Sequence, residues 1–257
     1  MNMSVAMMQP AFMPWLGFFE LIYKADKFIF LDDFQFSVQS YHQRNRLFVN
    51  KSQVDWYSVP VKKVISFKAA LNQTQIDESI LWRNKMWKRI QQNYSRANYF
   101  SVIVPYVEEW LKTPFKILSD QNIAFIRLVC QLMGLQREFI LSSDYPADKK
   151  SSRRVLDLLN LNNAQQYYCA HGSFGYMYEE AVFPVESKPV FFQNFQMKEY
   201  KQVGSSEKFI PFLSILDALM NIGPLLTLAM IKNGTTKWLS WDDMVKLYGK
   251  RCQNEQN

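Results

Sequence analysis

Residues 4–33, SVAMMQPAFMPWLGFFELIYKADKFIFLDD, decide the fold. Ser4 to Met8 form a short apolar run that stops at Gln9-Pro10, the pattern of a buried strand ending in a turn. From Trp15 the period changes. Trp15, Leu16, Phe18, Phe19, Leu21, Ile22 and Tyr23 predict a densely apolar helix, entered through Pro14 and lasting to about Ala25. Phe28 to Leu31 is a second apolar run, closed by Asp32-Asp33. Strand, helix and strand in such close succession make a βαβ unit, whose crossover is right-handed and whose strands are parallel.

Working outward, residues 34–71 break the alternation with a polar, aromatic stretch, FQFSVQSYHQRNRLF, followed by a strand-like piece around Val54 to Val61. Helical patterns then run from about Leu81 to Met133, with breaks near Ala97 and at Thr113-Pro114 and a stop at Gly134. Beyond Gly134 the alternation returns, with strands at 138–141, 165–170 and 189–192 and helices at 151–161 and 176–181. Two helices at 213–221 and 225–231, parted by Gly223-Pro224, precede a polar tail after Gly249. The order predicts one α/β domain over residues 1–257. Its core is a doubly wound, mostly parallel, Rossmann-like sheet, and residues 34–133 are a largely helical insertion of an edge hairpin and about three helices.

Composition removes several classes. The 20 Phe, 13 Tyr and 7 Trp supply too much apolar surface for a disordered chain. Only 8 glycines are present, which argues against a Gly-rich phosphate loop. Three scattered cysteines with no CxxC, and only two histidines, support neither a disulfide framework nor a zinc site, so no metal is expected. The net charge of +7 favours an anionic partner, with a phosphate-bearing small molecule preferred to nucleic acid. The five cations of Arg83, Lys85, Lys88, Arg89 and Arg96 mostly lie opposite the apolar arc of Trp82, Met86, Ile90 and Tyr94, as on an ordinary amphipathic helix. The start lacks the basic region of a signal peptide, and no apolar run is long enough to insert into a membrane. A reduced, cytoplasmic protein is the expectation, with a homo-oligomer compatible with it.

In a doubly wound sheet, ligands sit outside the carboxyl ends of the strands. That rule selects Gln9 and Pro10 after the first strand, Asp32 and Asp33 after the second, Ser143 after the third and His171 after the fourth. The helix that follows Trp15 directs its free N–H groups back toward Gln9 as an anion pocket. Gly17 there admits a ligand or another backbone, or serves helix packing. Asp32 and Asp33 fit a ribose hydroxyl, a metal or a base role, with a capping role for Asp33 of equal weight. The run DKKSSRR puts Lys149, Lys150 and Arg153 around Ser151 at a helix start, where cations oppose the helix dipole unless an anion receives them. His171, in CAHGSFGYMYEEAVF, suits acid/base work or a structural role; Asn45 and Arg46, in RNR, offer paired donors to an anion.

These strings carry a resemblance. QPAFMPWLGFFELIYKADKFIFLDD, RNR, NYSRANYF, LSDQN, SSDYP, YYCAHGSFGYMYEEAVF and FIPFLSILDALMNIG occur in this order over nearly the whole chain. In them the chain resembles the bacterial WbqC-like proteins, found among genes for O-antigen and related surface polysaccharides. The resemblance implies work on a nucleotide-linked sugar or nascent glycan, with Asn45, Arg46, Asn122, Ser143, Tyr178, Gln202 and Asp217 on the substrate side. The first βαβ and the SSRR helix start also look like the HIGH-motif (HUP-like) nucleotidyltransferases, but PWLGFF has no histidines where that motif needs two.

The expectation is a sugar-modifying transferase that uses ATP or a sugar nucleotide and moves an acyl or aminoacyl group to an amino sugar. Gln9, Pro10, Trp15 and Gly17 would hold the anion with Lys149, Lys150, Ser151 and Arg153 closing over it, and Asp32, Asp33 or His171 would handle the proton. The alternative is a non-catalytic partner of a glycosyltransferase complex.

Overall fold

The computed structural model describes residues 2–50, 53–62, 68–203 and 208–254; the last residues of the polar tail lie outside it. Five strands, β1 (Ser4–Met8), β2 (Lys27–Phe30), β5 (Glu138–Leu141), β6 (Gln166–Cys169) and β7 (Val190–Phe192), form an all-parallel sheet in the order β5-β2-β1-β6-β7. The chain winds outward from β1 through β2 to β5, returns to the far side of β1 as β6, and ends at β7. The winding reverses between β1 and β6, which is the topological switch point of a Rossmann-like sheet. The remaining strands, β3 (Arg44–Asn50) and β4 (Gln53–Ser58), pair antiparallel in a sheet of their own and do not extend an edge of the parallel one.

Because side chains alternate along a strand, each apolar strand feeds two cores. Ala6, Phe28 and Phe30 face α1 (Leu16–Lys24), together with α2 (Trp82–Tyr94), α3 (Phe100–Lys112) and α4 (Leu118–Leu132) of the insertion and with α7 (Ile215–Lys232). Val5, Met7, Ile29 and Leu31 face α5 (Ser151–Leu161), α6 (Phe174–Glu179) and α8 (Trp241–Asn254). The helix α7 is broken where the sequence predicts. Gly223 adopts φ 77°, and the Tyr99 ring lies 2.5 Å from where a Cβ would stand, so both conformation and space require glycine. The apolar helix α1 buries one acid, Glu20, whose carboxylate accepts from Gln193 Nε2 (2.6 Å), Thr235 Oγ1 (2.7 Å) and Thr235 N (2.5 Å). Burial raises its pKa.

The turn between β1 and α1 contains no glycine, yet Met13 takes φ 42°. Remote groups hold it there. Asn45 Nδ2 donates to the carbonyls of Phe12 (3.2 Å) and Met13 (2.8 Å). Asn122 Nδ2 donates to Pro10 O (2.9 Å), and the backbone N of Ile215 donates to Pro14 O (2.9 Å). The insertion and α7 therefore meet on one loop. Asn122 also donates to the carbonyl of His42 (2.8 Å), and His42 Nδ1 accepts from Ser37 N (3.3 Å), which leaves the ring proton on Nε2. Burial lowers the His42 pKa to about 4.

Replacing Asn45 by alanine strands two buried carbonyls, and we expect a loss of about 2–4 kcal/mol in urea unfolding; a loss below about 0.5 kcal/mol would show that the turn holds itself. His42 binds fewer protons folded than unfolded between pH 6.5 and about 4, so its contribution is intact above 6.5 and is lost as the pH falls through that window. The difference between wild type and His42→Asn should therefore narrow by up to about 3 kcal/mol from pH 7 to pH 4, and a constant difference across denaturation series in that range would refute the assignment.

Candidate functional site

The polar residues chosen from the strand ends fall into three groups. The first lies at the ends of β2 and β5. Asp32 is 3% exposed. Its Oδ1 accepts from Ser143 N (3.0 Å) and Ser142 Oγ (3.2 Å), and its Oδ2 accepts from Ser143 Oγ (2.6 Å) and Asn72 Nδ2 (3.4 Å). Asp33 accepts from Ser142 Oγ and, at 3.0 Å, from Arg154 Nη2. Both carboxylates are thus engaged by the neighbouring strand end. Asp120, at the start of α4, has a raised pKa through burial first and the nearby Asp32 charge as well.

Arg154 joins this group to the start of α5. It is 2% exposed and spends its guanidinium on Asp33 and on the carbonyls of Ser142 (2.7 Å), Tyr145 (3.1 Å) and Pro146. The basic turn before the helix is accordingly anchored from within. Of its cations, Lys149 pairs with Asp157 in the second turn of the helix (2.7 Å), which raises the lysine's pKa. The helix N-terminus holds an anion already. The carboxylate of Glu180, from the residue after α6, accepts from Ser152 N (2.9 Å) and from Ser151 Oγ. These bonds, led by that of the Ser151 hydroxyl and aided by the Arg153 charge, lower the Glu180 pKa. A carboxylate on free N–H groups at a positive dipole end is the arrangement that binds phosphate elsewhere.

The second group surrounds the β1 turn. Gln9 Nε2 donates to Gln35 O (3.1 Å), while Pro10 is buried. The space above Gly17 is filled by Trp15. A Cβ at Gly17 would stand 2.3 Å from the indole Cη2, and the indole in turn meets Phe195 and Phe212 edge-on. The close approach that requires glycine is therefore made by a side chain of this chain. Asn45 and Asn122 clamp the turn as described, and Arg46 contributes its carbonyl to Ser214 N (3.1 Å). Asp217, fully buried in the first turn of α7, accepts from Tyr200 (2.7 Å), Gln202 Nε2 (2.8 Å) and Tyr94 (2.9 Å), and burial raises its pKa. This group is an interior lattice joining the insertion to α7.

The third group follows β6. His171 and Gly172 are exposed in a short turn at 171–173, beside the switch point. Tyr178, 45% exposed, stacks on Phe174 (centroids 5.4 Å apart) and Trp241 (6.4 Å).

The structure thus brings Asp33 and Ser143 together with the start of α5 through Arg154, and brings Asn45 and Asn122 to the Gln9–Trp15 turn. It does not bring Lys149, Lys150 and Arg153 over the N-terminus of α1, because α1 and α5 pack on opposite faces of the sheet. Arg154, read with the other cations of DKKSSRR as receiving an anion, is instead a buried internal tie, and one partner, Glu180, escapes the sequence reading. Arg154 shares the buried arc of Val155 and Leu158, so an arginine on an apolar face was the available signal. Glu180, one of two exposed acids after a short helix, carries no local signal.

A model of the WbqC-like protein family matches residues 9–227. An uncharacterized protein of Mycobacterium tuberculosis, Rv1507c, is 28% identical over 221 residues, 86% of this chain and 94% of that protein. No solved structure matches at a significant level. The matched span runs from the residue after β1 into α7 and so includes the clamped turn, the insertion that clamps it and the anion-holding start of α5; by that match the chain belongs to the WbqC-like protein family.

Proposed function

We propose that this protein is a cytoplasmic enzyme of bacterial surface-polysaccharide (O-antigen) biosynthesis. It binds a nucleotide or nucleotide sugar at the carboxyl edge of its sheet and transfers an acyl or aminoacyl group to an amino sugar. The observation that carries the reading is the start of α5, where a backbone N–H and a hydroxyl already hold an anion near the charge of Arg153. The switch-point topology supports it, since the β1 and β6 ends open the crevice in which such ligands lie.

In this reading the roles given to the two faces of the sheet change. Phosphate binding belongs to α5, because the indole of Trp15 covers Gly17 at the start of α1. The exposed His171 takes the proton from the attacking amine. Asp33 acts as a positioning residue that fixes α5 through Arg154.

A second reading, a non-catalytic partner of a glycosyltransferase complex, draws on a different surface. Tyr99 at the entry to α3, Val102 and Tyr106 on it, and Leu225 and Leu226 on α7 are 38% to 82% exposed, and the two helices are in contact.

Calorimetric titration with ATP, UDP-N-acetylglucosamine and dTDP-glucose should show binding to at least one, weakened at least about tenfold by Lys150→Ala with Arg153→Ala. Mass spectrometry of the surface polysaccharide should show a substituent lost on deletion of the gene and not restored by His171→Ala. Binding of none of the three, with an unaltered polysaccharide, would leave the scaffold reading standing.

A further inference from the structure

The groups at the start of α5 are matched unequally by their present occupant. The two oxygens of Glu180 serve Ser151 Oγ and Ser152 N. A third donor, Ser152 Oγ, is fully buried beside the same carboxylate but makes no hydrogen bond of ordinary length and angle. It is aimed at the same place, for the Ser152 side chain is close enough to Glu180 to help hold that carboxylate ionised. Ser151 is held at φ 51°, a left-handed conformation that is costly for a residue with a Cβ.

Glu180 itself is exposed and follows a helix of six residues, so its side chain can swing outward without opening either core. We infer that Glu180 is a built-in occupant of a phosphate seat, and that a terminal phosphoryl group of the ligand displaces it. The inference rests on the reading above that the chain binds a nucleotide or nucleotide sugar, and it names the group that enters and the group that leaves.

The chemistry favours a phosphoryl group over a second carboxylate. A terminal phosphoryl group replaces the charge that Glu180 removes and adds up to about one more, which the nearby Arg153 charge offsets. It also brings a third non-bridging oxygen, and that oxygen answers the Ser152 hydroxyl that the carboxylate leaves without a well-formed bond. The seat is thereby self-protected. With no ligand, Glu180 satisfies the Ser152 N–H and the Ser151 hydroxyl, and adventitious anions must compete with a tethered carboxylate.

Inorganic pyrophosphate is the probe. Titrated calorimetrically into the full chain, it should bind Glu180→Ala about tenfold or more tightly than wild type, because the site no longer has to be vacated. Adding Ser152→Ala to that variant should remove most of the gain. Glu180→Gln keeps an acceptor for the helix start and should gain affinity too, which covers the case of an alanine variant that does not fold; melts followed by circular dichroism check each protein. The unliganded alanine variant should melt lower than wild type and recover with pyrophosphate. Equal affinities for wild type and Glu180 variants, with nucleotide sugars still bound, overturn the displacement and leave the proposed function intact. Absence of binding by every variant to pyrophosphate and nucleotides alike overturns both.

Discussion

Everything at the carboxyl edge depends on finding donors for the carbonyls of a turn that has no glycine. Between β1 and α1 the chain must reverse from strand to helix in the apolar sequence PAFMPW, with two prolines that have no N–H to give and a methionine at positive φ. Its carbonyls are buried, and a buried carbonyl without a donor costs as much as a lost hydrogen bond. Asn45, Asn122 and the backbone of Ile215 supply those donors from three separate elements. The insertion is therefore a structural half of the first βαβ unit, and the sheet order and the position of α1 rest on it.

That constraint explains what could be read from residues alone. The parallel strands and their helices follow from apolar runs and breakers, and the structure places them at nearly the expected positions, including the break at Gly223-Pro224. The hairpin was legible only as strand-like sequence, because its place depends on Tyr57, Leu47 and Asn45 packing inward, away from the main sheet. Asn45, Asn122, Gln202 and Asp217 were legible as polar residues in apolar surroundings. Whether such residues face a ligand or one another depends on contacts far apart in sequence, and here each has partners within the chain. The face on which each helix packs was not legible either, and this parts the cations of α5 from the start of α1.

A Rossmann-like sheet usually receives phosphate on the glycine-rich turn after its first strand. Here that turn is closed by an indole and by asparagine clamps, and donors for an anion are found on the other face, at the start of α5. Arg154 makes this shift workable. By crossing from α5 to Asp33 and to three carbonyls it ties the helix start to the strand ends, so the anion seat moves with the sheet.

The clamps also impose an order in time. A ribosome releases the β1 turn roughly 200 residues before it releases the amide of Ile215 that closes Pro14 and before Thr235, which donates to the buried Glu20 carboxylate. This segment is consequently completed long after it is made. Until then it displays two apolar strands and an unusually greasy helix with no permanent cover, the condition in which nascent chains aggregate or recruit chaperones.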